Sequence, residues 1–101
     1  LDELKVRLII EFNWFDNNYS ETIFGKLYKD ISLKFFPAIK MSISLDNDRD
    51  FYINHIKQNA VTGDLTLFTV REMSGHFKED GEAKYKKSKK ELLSKGWNKG
   101  E

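Results

Sequence analysis

Cysteine is absent from this chain of 101 residues. That excludes disulfide staples, thiol nucleophiles and thiolate metal sites, and it suits a reducing compartment, read here as the cytoplasm. An excess of charge of one sign is also lacking: 17 Lys and Arg stand against 16 Asp and Glu, a net charge of +1. A dedicated nucleic-acid binder usually carries a clear basic surplus. No apolar run approaches the roughly 20 residues needed to span a bilayer, so no membrane partner is expected. Asp2, Glu3 and Lys5 interrupt the start, so no secretory leader is read there. The chain opens on Leu1 rather than Met, as a processed product or an excised piece does. Proline occurs once, at Pro37, and glycine six times.

What is present suits a globular fold. Hydrophobic residues make up 40%, charged residues 33%, and aromatics 14% with eight Phe, a balance that favours a packed core over disorder. The length fits a single domain over residues 1–101 with one modest core.

Period-two patterning dominates the first three quarters. In KVRLIIEFNWF, Val6, Leu8, Ile10, Phe12 and Trp14 fall on one side and Lys5, Arg7, Glu11 and Asn13 on the other, which predicts a strand over about 5–15. DNNYS supplies a turn. Residues 20–30 fit helical spacing behind Ser20, but Gly25 weakens a helix, and a strand over about 26–36 is favoured. Ile39, Met41, Ile43 and Leu45 alternate beyond Pro37 and predict a strand over about 38–45. Pro37 cannot donate to a ladder, so a corner, bulge or edge belongs there. FYINHIKQN predicts a strand over about 51–59, irregular near His55 because Ile53 and Ile56 are out of phase. AVTGD reads as a hairpin connection with Gly63 at positive φ, and LTLFTVREM as a strand over about 64–73.

Residues 80–95 switch to a helical pattern. Tyr85 and Leu92 share a face with Ala83 and Ser88, and Leu93 lies beside it. Acidic Glu79, Asp80 and Glu82 precede a run of lysines, an order that suits the helix dipole. Gly96 is placed as the residue that ends the helix, with Trp97 folding back onto Leu92. The fold class that follows is α+β: an antiparallel meander of about five strands, open to curling toward a small barrel, with a C-terminal helix packed on the sheet.

Two surfaces compete for a function. Lys84, Lys86, Lys87, Lys89, Lys90, Lys95 and Lys99 make a dense basic face, which is the solvated side of an amphipathic helix or a phosphate-binding surface. With no arginine in it, little base specificity is expected. Ile9, Phe15, Tyr28, Phe36, Tyr52, Phe68 and Val70 fall opposite the face given to the core. A second partly apolar face is closed by curling of the sheet, or covered by another chain.

For catalysis the residues give little. His55 and His76 are far apart and unpaired in pattern, and no serine sits in a nucleophile-elbow context. No phosphate-binding glycine loop occurs. Asp46, Asp48 and Asp50 imitate the start of a calcium loop, but Phe51 and Lys57 stand where that loop needs Gly and Glu. The expectation is therefore no enzyme, no catalytic residue, no metal and no cofactor. The function expected is a small protein-binding module, an inhibitor, immunity-type partner or assembly subunit. Its partner is another protein or itself, met through Phe15, Tyr28, Phe36, Tyr52 and Phe68. The alternative is sequence-tolerant nucleic-acid binding through Lys86, Lys87 and Lys90.

Overall fold

Val6, Leu8, Ile10 and Phe12 are all buried. They alternate along β1 (Leu4–Phe15) with residues that face away, and β1 is the central strand of a five-stranded sheet. The computed structural model describes residues 3–45 and 50–100. In the turn after β1, the Asp16 carboxylate accepts the backbone N–H groups of Asn18 and Ser20, each at 2.8 Å. The chain returns as β2 (Glu21–Leu33), antiparallel to β1, so residues 20–30 take the strand reading.

From Leu33 the chain does not make the next hairpin. It crosses over the buried face, with Pro37 itself buried, and forms a separate ribbon of β3 (Ser42–Ile43) and β4 (Phe51–Tyr52). Backbone bonds from Lys40 to Ile53 (2.8 Å) and from Ile53 to Met41 (2.9 Å) lengthen this ribbon. The strand expected over 38–45 shrinks to two residues because the chain turns at Lys40, where φ is 71°. The run expected over 51–59 breaks at Ile53 and Asn54, where the chain leaves the ribbon for the main sheet. That change of partner explains the mismatch in phase of Ile53 and Ile56. β5 (His55–Gln58) forms the far edge, and β6 (Leu65–Glu72) returns beside β1.

The order is β5-β6-β1-β2-β7, with β7 (Asn98–Lys99) a short last strand. β1 and β6 run parallel, and the other neighbours run antiparallel. The sheet is mixed rather than a pure antiparallel meander, and it stays open rather than closing into a barrel. The cause is the long crossover: it delivers Leu65 and Leu67 to the free edge of β1, where they extend its apolar face. Parallel pairing needs such a crossover.

The helix α1 (Lys78–Ser94) covers the same face together with the ribbon. Its start is tied by the Phe77 backbone N–H donating to the Asp80 carboxylate at 3.3 Å. Its end is a Schellman motif. Trp97 N–H donates to Leu92 O at 3.2 Å, and Gly96 N–H to Leu93 O at 3.4 Å, with Gly96 at φ 92°. Leu92 and Trp97 are both buried, and Trp97 packs on Phe51 with ring centroids 5.2 Å apart. Burying side chains of this size contributes about 1.5–3 kcal/mol each. Ala83, expected on the packed face, is exposed, while Gly81 is buried. A Cβ on Gly81 would stand 2.9 Å from Trp14, so glycine lets the helix close on β1.

Tyr85 is the other anchor. Its ring lies between Phe12 (5.2 Å) and Phe24 (5.6 Å, nearly parallel at 18°). A Cβ on Gly25 would collide with the Tyr85 hydroxyl. The flanking rings prevent Tyr85 from moving aside, so Gly25→Ala is expected to lower stability by about 1–3 kcal/mol through overpacking. Tyr85→Phe in the same chain removes the clashing oxygen and should recover most of that loss. Urea denaturation of the two single variants and the double variant measures the coupling.

Candidate protein-binding face

The odd-numbered residues of β1 point away from the helix, and the pairing register carries them into rows across the sheet. His55 stands opposite Phe68, Phe68 opposite Ile9, Ile9 opposite Tyr28, and Tyr28 opposite Asn98. The His55 and Phe68 rings are 5.6 Å apart. Phe68, Ile9 and Tyr28 are half-buried by their neighbours, and beside them Val70 is 43% exposed. Among the described residues, the packed core of helix and ribbon lies on the opposite face.

Charged pairs flank this row on both sides. Two residues toward the start of β1, Arg7 makes a two-pronged contact with Asp30: Nε to Oδ1 at 2.8 Å and the second nitrogen to Oδ2 at 3.1 Å. The same guanidinium lies over the Tyr28 ring, 4.2 Å from its centroid. Two residues toward the end of β1, Glu11 pairs with Lys26 at 3.6 Å. Between these pairs an open groove of about 420 Å³ is lined by Arg7, Ile9, Lys26, Tyr28, Lys99 and Gly100. The face is therefore apolar along its middle and neutral overall on β1 and β2, with fixed positive and negative points.

The residues expected at the site do not all meet. Tyr28 and Phe68 lie in the row. Phe15 ends β1, 37% exposed. Phe36 is 62% exposed in the connection after β2, and Tyr52 is 46% exposed on the ribbon. Neither belongs to the main sheet, because the crossover carries both away from it. Arg7, Asp30, Glu11 and Lys26 were not singled out from sequence.

Lys86, Lys87 and Lys90 are exposed on the outward side of α1. Lys86 approaches Glu82 at 3.6 Å, Lys84 donates to the Ser74 hydroxyl at 3.0 Å, and Lys89 lies over the Tyr85 ring at 5.7 Å. His76 packs edge-on against Phe77 at 4.7 Å, far from His55 in the fold's order. Among the described residues no group of three or more His, Cys, Asp or Glu gathers that could hold a metal ion. Of the calcium-like turn, Asp46 and Asp48 lie outside the described residues. Asp50 accepts a hydrogen bond from the Ser44 hydroxyl. Among the described residues no helix is long and apolar enough to cross a membrane.

The hydrogen bond from Arg7 holds the Asp30 carboxyl below its ordinary value of 3.8, against a smaller opposing effect of desolvation. The same bond raises the Arg7 guanidinium. A carboxyl depressed in the folded state adds stability above its unfolded value and loses it as pH falls through the folded value. Both groups are well solvated, so the effect is small. Asp30→Asn should lower the melting temperature slightly at pH 7, and the difference from the parent should vanish as pH falls below 3.8. Thermal melts across that range check it.

No protein-family model matches the chain, and no curated protein or solved structure matches it.

Proposed function

We propose that the protein is a small non-enzymatic binding module that engages another protein chain through the open face of its sheet. The observation that supports this most is the row His55, Phe68, Ile9 and Tyr28, which crosses four strands without a covering layer among the described residues. An apolar band fringed by fixed charges is how protein interfaces are composed: an aromatic centre supplies affinity and a polar rim sets orientation. Tyr28 is suited to the centre, because Arg7 stacked on its ring restrains it before any partner arrives. An inhibitor, an immunity-type partner or an assembly subunit would use such a face, in the reducing, cytoplasmic setting that the missing cysteine suits.

A second reading is kept because Lys86, Lys87 and Lys90 project from α1 on the other side of the molecule. It is sequence-tolerant binding of nucleic acid. Contacts to phosphate alone weaken steeply with salt, whereas an aromatic sheet interface does not.

Affinity capture from the native host at two salt concentrations, followed by mass spectrometry, tests both. A protein partner retained at high salt should be lost with Phe68→Asp and kept with Phe36→Asp, with circular dichroism unchanged in both variants. Retention by folded Phe68→Asp would overturn the sheet-face reading. Nucleic acid released at the higher salt, and lost on joint replacement of Lys86, Lys87 and Lys90 by Gln, would favour the second reading.

A further inference from the structure

The charges on the open face have a symmetry of their own. On β1, Arg7 and Glu11 stand equally far from Ile9, on opposite sides of the apolar row. On β2, Asp30 and Lys26 stand equally far from Tyr28. Arg7 is paired in register with Asp30, and Glu11 with Lys26. Among these four charges sign therefore alternates both along each strand and between the strands, as on a checkerboard; Lys5, beyond Arg7 on the same side of β1, stands outside the pattern, opposite Ser32. Turning such a pattern over about the row exchanges each charge for its opposite.

We infer that the open face is self-complementary and that its partner is a second copy of this chain, packed face to face about a two-fold axis running along the row His55, Phe68, Ile9 and Tyr28. This rests on the proposed use of the sheet face and names its occupant. In this arrangement Ile9 meets Ile9 and Phe68 meets Phe68 on the axis. Arg7 of one copy lies over Glu11 of the other, and Asp30 over Lys26. Each of these four charges then has an opposite neighbour within its own sheet and another across the interface. The contact is isologous, the commonest form of self-association.

The alternative axis, along the strands between β1 and β2, also matches these charges. It leaves His55 and Phe68 overhanging the partner's short β7, so half of the apolar row stays in water. The axis along the row covers all of it. Sheets packed face to face sit about 10 Å apart and cross by about 30°, a skew that the long Arg and Lys side chains span. Asp64 and Glu72, four residues either side of Phe68, would superpose with like sign. Both are exposed at the rim, where the crossing angle separates them and salt screens them.

The area is modest. Four strands at about 4.8 Å spacing and some eight residues at about 3.3 Å rise make a face of roughly 500 Å². Covering it on two copies removes on the order of 1,000 Å², near the lower bound for a specific interface. The dimer is thus a reversible one, with dissociation expected in the micromolar range.

Sedimentation equilibrium from about 1 µM to about 1 mM tests this first. A concentration-dependent monomer–dimer equilibrium is expected, and a wild-type chain that stays monomeric throughout overturns the inference. The geometry is tested by two charge variants, Arg7→Glu and Glu11→Arg. Each alone puts like charges across the axis and should weaken self-association at least tenfold. Mixed, they restore opposite charges at both contacts, so a mixed dimer of near wild-type affinity should form. Dimers that ignore both variants, or a mixture no tighter than its parts, overturn it. Should either variant misfold by circular dichroism, Asp30→Lys and Lys26→Asp make the same exchange on β2. A monomeric wild type that still loses a captured partner with Phe68→Asp would remove the second copy as occupant and leave the sheet-face reading standing.

Discussion

The seat of Tyr85 on Gly25 constrains more of this molecule than any other contact. β2 carries one extra residue against β1 at this point: Asn13 pairs with Ile23, but Phe12 pairs with Gly25, leaving Phe24 as the bulge. The bulge brings Gly25 onto the helix face beside Phe24, whose ring stacks on Tyr85. It also shifts every later pair by one residue. Without the shift, Arg7 would stand opposite Lys29 and Glu11 opposite Gly25. A bulge of this kind re-aims side chains locally; here it also decides which charges meet on the face beyond. Helix docking on one side of the sheet and charge pairing on the other thus share a single cause.

The helix is held at three places rather than along a stripe. Gly81, Tyr85 and Leu92 are its buried residues, so the remainder is free to be polar, which accounts for most of its lysines without a ligand. Its C-terminal end gains one more tie from the sheet. Lys29, on the helix side of β2, donates to Lys95 O at 3.2 Å and lies 6.0 Å from the Trp97 ring centre. A cation at that end opposes the partial negative charge of the last carbonyls. Arg71 has a comparable place at the other end of the core, over the rings of Phe51 (5.3 Å) and Phe12 (5.9 Å).

Local chemistry made several elements legible in the residues alone. The alternation from Val6 to Phe12 predicts a strand, and β1 is one. Gly96 and Trp97 read correctly as a helix stop, because a Schellman end needs only a residue tolerant of positive φ and an apolar residue after it. The α+β class and the helix on one face follow from these patterns. Non-local facts were not legible. Strand order depends on where the crossover lands, and nothing in Leu65 or Leu67 specifies a parallel partner over an antiparallel one. The alternation after Pro37 serves a two-residue ribbon, since Ile39 faces solvent while Ile43 is buried. Tyr28 and Phe68 could be placed on the open face by alternation, but Phe36 and Tyr52 could not be excluded from it without the crossover. The Arg7–Asp30 and Glu11–Lys26 pairs depend on a bulge that the five residues around Gly25 do not announce.

The central position of β1 has a consequence for biosynthesis. Its first neighbour, β2, follows directly, but its second is β6, so that Val6 awaits Leu65, and the plug at Trp97 comes later still. At about 5–20 residues per second on the ribosome, the nascent hairpin of β1 and β2 spends seconds with Leu8, Ile10 and Phe12 uncovered. Its reverse side is complete earlier, because the Arg7–Asp30 and Glu11–Lys26 pairs need only these two strands.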